Sequence, residues 1–369
     1  MKSFFSSLAF VLLVVYGNAQ TVPYSFFIAG HTYGKPGVDN AGVHPPFKAK
    51  FTYIQNRTEI KFGIFTGDIV KQSTAQDWDE IDADVTDLGM PVYFAPGNHD
   101  GSFTTEYINR YGVGHSDFVF QNDLFLILNA NGYGWNINEL QLSFIDSVLD
   151  VNANSVDRIF VFFHQLLWLE KTELYGNVKP NSFEGRTPGF NFWTEVEPRF
   201  HALSNEVVMC AGDLGAASWA SDFMYDNYDN ITFIASGMGK GDEDNFVVIN
   251  IDEQKNIDYD LICLNTTELN CFGEITDYEI TDTYNHSFVN HEFSLFPNPV
   301  ISGENVFIKV NSYNLTHVHV RNSFGQRVQS EIWQGQRQYR LSTNELPAGL
   351  YVIEFVTENN VSTQQLIVR

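Results

Sequence analysis

The chain has 369 residues, of which 44% are hydrophobic and 18% are charged, and its formal net charge is −24. This length allows two domains, and the excess of carboxylates argues against nucleic acid or an anionic membrane as a partner, because both bind basic surfaces. Residues 293–369 contain six basic and five acidic residues, so the preceding part carries the negative charge. An acidic body also disfavours polyanionic substrates unless a cation offsets the repulsion.

The N-terminal residues have the pattern of a secretory signal peptide. Lys2 provides a positive charge, the apolar run LAFVLLVV follows, and Gly17, Asn18 and Ala19 form a small-residue cleavage site before Gln20. We therefore predict a signal peptide over residues 1–19 and an exported protein. No later segment has the roughly 20 apolar residues that cross a bilayer, so no membrane span is expected.

Residues 20–262 alternate strand-like runs with amphipathic segments, a pattern typical of an α/β domain with helices covering a sheet. Strands are predicted at YSFFIA, IKFGIFT, MPVYFAP, RIFVFFH, EVVMCA, ITFIASG, NFVVINID and NIDYDLICL, and helices at WDEIDADVTDLG and NELQLSFIDSVLDVN. Residues 263–292 are rich in Thr, Asn, Asp and Glu and are predicted to form a linker or an edge hairpin. Cys263 and Cys271 could pair in an oxidising compartment, and Cys210 is expected to be a buried small residue.

Residues 293–369 consist of short alternating strands separated by turn signals, which predicts a small all-β sandwich. The blocks FSLFPNPV, VHVRNSFGQRV and LSTNELPAGLYVIEF, in this order, resemble the type IX secretion sorting domain of Bacteroidetes. The resemblance implies that the type IX secretion machinery is a partner and that the protein reaches the cell surface or the medium through the periplasm. An adhesive or carbohydrate-binding β-module is the alternative.

Five short motifs follow strand-like runs: Ala29-Gly30-His31, Gly67-Asp68, Gly97-Asn98-His99-Asp100, Phe163-His164 and Gly212-Asp213-Leu214-Gly215. Residues at the ends of several strands can converge on one edge of a sheet. In this order the motifs resemble those of the calcineurin-like metallophosphoesterases: Asp-x-His, Gly-Asp, Gly-Asn-His-Asp/Glu, a lone His and Gly-His-x-His. The resemblance implies an α/β fold of two stacked sheets flanked by helices, with two cations that clamp a phosphate and activate a water.

The resemblance also implies a role for each matching residue. Asp68 would bridge the two metals, Asn98 and His164 would bind one of them, and His31 would bind the other. His99 would not bind metal but would protonate or stabilise the leaving oxygen. Each motif taken singly has a structural alternative, with Asp68 as a turn residue and His164 as a core histidine.

Two departures from the family pattern fall on the same metal. Ala29 stands where the family has Asp, and Gly215 stands at the second His position of the last motif. That half of the centre keeps only His31 and the shared Asp68. Two protein ligands rarely hold a divalent ion, so the second metal is predicted to be absent, weak or supplied with substrate.

The other half is predicted to form one firm metal site from Asp68, Asn98, His164 and Asp213. Asp213 replaces an imidazole, and three oxygen donors with one nitrogen favour manganese, magnesium or calcium over zinc. Asp39 or His44, from the Gly-rich loop 30–46, could compensate for Ala29.

These patterns predict an exported, metal-dependent hydrolase of small phosphoesters. His99 would act on the leaving group, and His31 would orient water or substrate. The alternative is a catalytically degenerate binding protein on a phosphoesterase scaffold, because a fold does not determine turnover. Arg186, in the aromatic stretch 183–193, could pair with a phosphate or sulfate oxygen.

Overall fold

The computed structural model describes residues 22–38, 42–170, 175–241, 243–265, 269–278, 280, 293–296, 298–310, 315–322, 325–332, 338–344, 346–357 and 361–369. The chain divides into two compact units, Met1–Thr281 and Asp282–Arg369. The predicted signal peptide, residues 1–19, lies outside the described residues. The domain boundaries at 262 and 292 stay predictions.

The first unit alternates strands and helices. Its described strands are β1 (Tyr24–Ala29), β2 (Ile60–Phe65), β3 (Val92–Phe94), β4 (Ser116–Phe120), β5 (Asp123–Ile127), β6 (Arg158–Phe162), β7 (Glu206–Leu214), β8 (Phe223–Tyr228), β9 (Ile231–Gly237), β10 (Asn245–Ile251) and β11 (Ile257–Cys263). Its helices are α1 (Pro45–Lys48), α2 (Phe51–Asn56), α3 (Ala75–Leu88), α4 (Thr105–Tyr111), α5 (Glu139–Asn152) and α6 (Glu197–His201). The predicted strands and the two predicted helices, α3 and α5, are confirmed. The strands β4, β5 and β8 and the short helices α1, α2, α4 and α6 are additional to them.

These strands form two sheets, as the sandwich prediction requires. One sheet has the order β11-β10-β1-β2-β3, and the other has the order β4-β5-β6-β7-β9-β8. β1, β2 and β3 are parallel to one another, and so are β5, β6, β7 and β9. The predicted α/β fold of two sheets is therefore confirmed, and parallel strands place the loops that follow them at one edge of each sheet.

Aromatic side chains fill the space between the sheets. Phe26 of β1 contacts Phe160 of β6 with ring centroids 5.0 Å apart, and Phe62 of β2 lies 5.2 Å from Phe125 of β5. All four are at most 3% exposed, and full burial of such a side chain stabilises the fold by about 1.5–3 kcal/mol.

The two long helices cover the outer faces and begin at capping residues. Thr74 accepts a hydrogen bond from the backbone N–H of Asp77 at the start of α3, and Asn138 accepts one from Gln141 at the start of α5. α3 ends at Gly89, whose φ of 72° suits a residue without a side chain. The caps fix where the helices begin, and therefore how the preceding loops leave the sheets.

The second unit is all β in its described residues. Its strands are β12 (Phe293–Phe296), β13 (Asn305–Val310), β14 (Leu315–Asn322), β15 (Arg327–Ile332), β16 (Gln338–Ser342), β17 (Gly349–Thr357) and β18 (Val361–Val368). They form two antiparallel sheets, β12-β13-β16 and β15-β14-β17-β18. One apolar core includes Val306, Val320, Ile353 and Phe355. The predicted small β-sandwich is confirmed.

The cysteines behave as predicted. Cys263, the last residue of β11, forms a disulfide with Cys271. Cys210 is a free cysteine inside β7 and is fully buried. The disulfide therefore closes a short loop after the sheet, and Cys210 is a packing residue. Among the described residues, no helix is long and apolar enough to cross a membrane.

Candidate metal centre

The five motifs lie at the carboxyl ends of parallel strands from both sheets. His31 follows β1 and Asp68 follows β2. His99 follows β3, His164 follows β6, and Asp213 is the penultimate residue of β7. The two sheets thus present their chemistry-bearing loops to each other at one edge of the sandwich.

Three of these side chains form a compact group. Asp68, His164 and Asp213 each offer a ligand atom, and these atoms lie within 4.8 Å of one another. His164 Nε2 is 3.3 Å from Asp68 Oδ1 and 3.8 Å from Asp213 Oδ1. All three residues are at most 3% exposed. His31 lies next to the group, with its Nε2 3.5 Å from Asp68 Oδ2.

Glycines allow the loops of the two sheets to approach this closely. A Cβ atom on Gly212, just before Asp213, would lie 1.9 Å from the backbone oxygen of Thr66. A Cβ atom on Gly97 would lie 2.3 Å from the backbone nitrogen of Asp68. Any side chain at these positions would push the loops apart. Gly212 therefore sets the spacing between the two sheets at the site, and Gly97 sets the spacing between the loops after β2 and β3 within one sheet.

The hydrogen bonds of His164 leave one ring nitrogen available as a ligand. Its Nδ1 lies 2.9 Å from the backbone oxygen of Thr66, and a carbonyl only accepts, so Nδ1 carries the proton. Among the described residues, His164 Nε2 and Asp213 Oδ1 are buried polar atoms without a hydrogen-bond partner. Buried polar atoms are normally satisfied. An imidazole nitrogen and two carboxylates converging in this way fit a divalent cation.

Electrostatics favour a positive charge at the same place. Burial raises the pKa of Asp213 to about 8, and the charge of Asp68 adds to the effect. Burial opposes ionisation of Asp68, but His164 and His31 hold the pKa of that carboxyl well below its usual range. Burial also lowers the pKa of His164, yet the two carboxylates outweigh it and raise the pKa to about 10. A cation among these carboxylates would supply the charge that a proton on His164 otherwise supplies.

Asp100, the last residue of the third motif, holds two loops together. Its carboxylate accepts backbone hydrogen bonds from Ile69 at 2.7 Å, Val70 at 3.0 Å and Gly97 at 2.6 Å. It is fully buried, and burial together with Asp68 raises its pKa. Sequence reasoning assigned it no role, although its place in the motif was a signal. Asp100 ties the loop of Asp68 to the loop of His99.

His99 and Asn98 lie on the open side of the site. Both are exposed and both line one cavity. His99 donates its backbone N–H to Asp68 Oδ1 at 3.2 Å. Its ring Nδ1 lies 2.9 Å from the backbone oxygen of Lys71, so Nδ1 carries a proton and Nε2 is left for chemistry. Metal binding by Asn98 stays a prediction.

Tyr33 is a site residue that the sequence analysis missed. Its ring centroid lies 4.3 Å from that of His31 and 5.2 Å from that of His99. Its backbone N–H donates to the backbone oxygen of Asp68 at 3.1 Å. Tyr33 is buried, and it separates the two imidazoles predicted to act in catalysis. The Gly-rich loop that carries it gave no periodic signal.

The half of the centre that lacks family ligands is closed by packing. Ala29 is fully buried in an apolar cluster that includes Met238. Gly215 has a φ of 73°, and a Cβ atom there would lie 2.6 Å from the carbonyl of Gly237. The family histidine would therefore need a strained backbone and a displaced neighbouring strand. The packing around Ala29 and Gly215 therefore leaves room only for small residues at both positions.

The possible substitutes have other partners. His44 Nε2 lies 3.1 Å from Asp244 Oδ2, and this pair joins two loops. Asp39 lies outside the described residues. Arg186, a candidate for phosphate recognition, is 2.5 Å from Glu170 Oε1, and its guanidinium lies over the ring of Phe183 at 5.2 Å. His44 and Arg186 are thus engaged within the protein.

Two protein-family models match the chain, and both matches agree with the fold of the part of the chain that they cover. Residues 31–202 match the model of the calcineurin-like phosphoesterases, and residues 294–369 match that of the secretion system C-terminal sorting domain. The first match ends before the motif that contains Asp213 and Gly215, which departs from the family pattern at both of these positions. No curated protein matches the chain.

Two solved structures are similar at low identity. A purple acid phosphatase from yellow lupin (Lupinus luteus) seeds is 13% identical with a TM-score of 0.48, over 68% of this chain and 53% of that one. A protein assigned as a 5′-nucleotidase from Staphylococcus aureus is 12% identical with a TM-score of 0.41, over 70% of this chain and 57% of that one. The chain thus spans little more than half the length of either protein.

The family match agrees with three features of the first unit: the order of the motifs, the two-sheet sandwich and the buried group of Asp68, His164 and Asp213. Calcineurin-like phosphoesterases bind divalent metals, which is consistent with that group. The β-sandwich agrees with the match of the second unit. The chain therefore carries a calcineurin-like phosphoesterase region over residues 31–202 and, over residues 294–369, a sorting domain that directs it to the cell surface or outside through type IX secretion.

Proposed function

We propose that the protein is an exported, metal-dependent phosphoester hydrolase that works with one firmly bound divalent cation. Asp68, His164, Asp213 and Asn98 would hold this cation. The observation that carries the proposal is the convergence of three buried ligand atoms within 4.8 Å of one another. Two of the atoms, His164 Nε2 and Asp213 Oδ1, have no hydrogen-bond partner among the described residues.

The donor set supports a hard cation. Asp68, Asp213 and Asn98 offer oxygen, and His164 offers a single nitrogen. Such sets favour manganese, magnesium or calcium over zinc. When bound, the cation would neutralise charge on a phosphoryl oxygen and lower the pKa of a water molecule.

His99 is suited to act on the leaving group. Its Nδ1–H is fixed by the backbone oxygen of Lys71, so its exposed Nε2 can hold or release a proton at one defined atom. Because His99 lines the cavity, this nitrogen would be within reach of the oxygen that departs from phosphorus in a bound ester. General acids placed in this way contribute about 100- to 10,000-fold to a rate.

His31 is suited to orient rather than to transfer a proton. Burial lowers its pKa to about 4 despite the neighbouring Asp68, so the imidazole is neutral at pH 7. Its buried Nδ1 has no hydrogen-bond partner among the described residues. A neutral imidazole beside Asp68 can position a water molecule or a phosphoryl oxygen by hydrogen bonding.

A second candidate is a binding protein without turnover. The observation that favours it is the closure of the other metal position, because Ala29 packs in an apolar cluster and Gly215 lies against Gly237. A single cation leaves part of the phosphoryl charge uncompensated. Such a centre would bind a phosphoester and release it unchanged.

Metal analysis and turnover assays on the full chain distinguish the two candidates. The wild type is expected to hold about one equivalent of metal and to hydrolyse phenyl phosphate with added Mn²⁺, Mg²⁺ or Ca²⁺. Asp68→Asn is expected to lose metal and activity, whereas His99→Ala should keep the metal and lose activity by about a hundredfold or more. Asp117→Asn, an exposed carboxylate in β4, is the control.

The metal content and the activities of the variants decide between the two candidates. Metal binding without turnover under all added metals would favour the binding protein. Two tightly bound equivalents would contradict the one-metal centre. Full activity in His99→Ala would remove the leaving-group role from that residue.

A further inference from the structure

A cavity of about 450 Å³ opens beside the candidate metal centre. Its wall includes Asn98 and His99 on one side and Gln165, which follows His164, on another. Phe103, Gly132, Gly134, Trp135 and Glu184 also line it. This volume lies within the range of about 300–1,000 Å³ that small-molecule sites occupy.

The cavity wall contains aromatic rings. Phe103 is 51% exposed although it is a large apolar side chain, and it meets Tyr133 edge to face at 5.6 Å. Trp135 is buried behind the wall and stacks on Phe183 at 6.1 Å. Its Nε1 donates to the backbone oxygen of Glu184 at 3.1 Å. The exposed ring of Phe103 is therefore supported by Tyr133, and Trp135 adds a second, buried aromatic ring to the lining.

Backbone strain marks the same place. Among the described residues, six that are not glycine have a positive φ: His31, Asp68, Gln121, Trp135, Asp229 and Lys255. Gln121, Asp229 and Lys255 lie in the turns of antiparallel strand pairs, where such angles are ordinary. His31 and Asp68 belong to the metal centre. Trp135, with a φ of 70°, is a bulky residue in a costly conformation, and such strain concentrates at ligand sites.

The lining has little charge to offer to anions. Among the described residues that line the cavity there is no lysine or arginine, and Glu184 contributes one carboxylate. Arg186, which lies two residues further on, is paired with Glu170 at 2.5 Å. Extra phosphate groups on a ligand would therefore meet no compensating cation in the cavity.

A chain of amides fixes the polar character of one wall. Asn131 Nδ2 donates to the backbone oxygen of Pro96 at 2.7 Å, and a carbonyl only accepts, so Asn131 Oδ1 faces the other way. Gln165 Nε2 donates to that oxygen at 2.6 Å. Gln165 Oε1 is therefore the acceptor end of the chain, and it has no hydrogen-bond partner among the described residues although Gln165 is only 3% exposed. A ligand with a donor group would satisfy it.

We propose that this cavity binds the leaving group of the phosphoester and selects a planar, uncharged ring that carries hydrogen-bond donors. The proposal rests on the proposed function, because the ester oxygen must lie near His99. Phe103 would stack on the ring, and Gln165 would accept a hydrogen bond from it. Aminoaryl alcohols and nucleosides such as adenosine share this chemistry, because their amino groups stay free when a hydroxyl group is esterified.

Substrate comparison tests the proposal. The full chain is expected to hydrolyse 4-aminophenyl phosphate or adenosine monophosphate with a kcat/KM at least tenfold above that for glycerol 3-phosphate. Phe103→Ala should lower the kcat/KM for the ring-bearing esters roughly tenfold and leave glycerol 3-phosphate unchanged, because stacking on an aromatic side chain contributes about that much. Trp219→Ala, which is 67% exposed and not part of the lining, is the matched control.

A binding measurement separates this proposal from the proposed function. Calorimetry in the presence of a chelator is expected to detect adenosine or 4-aminophenol binding in the wild type and its loss in Phe103→Ala. Binding without turnover of any ester would refute the hydrolase and keep the cavity. Tighter binding of adenosine would assign nucleosides, and tighter binding of 4-aminophenol would assign aminoaryl alcohols. Turnover without preference for a ring, with no binding of either ligand, would overturn the cavity proposal.

Discussion

At the scale of single residues, the departures from the family pattern are matched by their surroundings. The methyl group of Ala29 contacts apolar side chains, and the backbone at Gly215 lies against the next strand. A recent loss of two ligands would leave polar space, but these positions are filled. The remaining ligands, by contrast, keep buried atoms free for a cation.

Restoring the family residues is therefore expected not to restore a second metal. Gly215→His would place a side chain on a backbone with a φ of 73° and against the carbonyl of Gly237, at a cost of about 1–3 kcal/mol or more. Ala29→Asp would bury a carboxylate in an apolar cluster. We expect both variants to melt at lower temperature and the double variant to hold about one equivalent of metal, measured by elemental analysis.

The control separates strain from contact. Gly89 has a φ of 72°, and a Cβ atom there would have no heavy atom within 4 Å, so Gly89→His should lose stability from strain alone and less than Gly215→His. A folded double variant with two equivalents of metal would contradict this account.

The sequence predicted Asp68, His164 and Asp213 as candidate ligands because each is part of an ordered motif, and the structure brings these three side chains together. It did not predict Tyr33, since the loop after His31 has no periodicity and its path depends on a hydrogen bond to the backbone of Asp68. The role of Asp100 was also missed, because its three backbone partners come from two loops. Contacts between loops depend on tertiary distances that a single sequence does not contain.

At the scale of elements, the site is a junction between two sheets. β2 supplies Asp68 from one sheet, and β6 and β7 supply His164 and Asp213 from the other. The sequence identified these strands from short apolar runs. It missed β5, whose five residues DLFLI follow β4 after two turn residues, because a short apolar run does not by itself distinguish strand from helix.

The close approach of the sheets makes Gly212 a sensitive position. Gly212→Ala would place a methyl group 1.9 Å from the backbone oxygen of Thr66, so the loops after β2 and β7 would have to separate. We expect lower stability, by about 1–3 kcal/mol as for an overpacked core, and at least tenfold weaker metal binding. Thermal unfolding with and without metal would measure both.

Gly176→Ala is the matched control, because no heavy atom lies within 4 Å of the added methyl group. It should leave stability and metal affinity near those of the wild type. Equal behaviour of the two variants would show that the loops tolerate separation, and the junction would then not set the site.

At the scale of the whole molecule, charge and function are divided between two units. The first unit carries the acidic excess and the candidate metal centre, whereas the residues from 293 onward are close to neutral. Each unit has a core of its own. The sequence also predicted two folded parts, from composition and strand spacing, but with boundaries at residues 262 and 292 that stay predictions, because composition alone does not locate the division after residue 281.

Removing the second unit is expected to abolish export, because that unit contains the sorting domain. The first unit is expected to stay folded, because its hydrophobic cores are separate from that of the second unit. A chain that ends at Thr281 should keep its melting temperature and about one equivalent of metal, and should accumulate in the periplasm.

Val320→Asp in the full chain should have the same effect on export, since Val320 is fully buried in the β-sandwich and a buried charge there unfolds it. Val328→Asp, the same change at a side chain that is 45% exposed on the same sheet, should leave export intact. Cell fractionation and calorimetry provide the two readouts, and a truncated chain that reaches the medium, or one that fails to fold, would contradict the independence of the units.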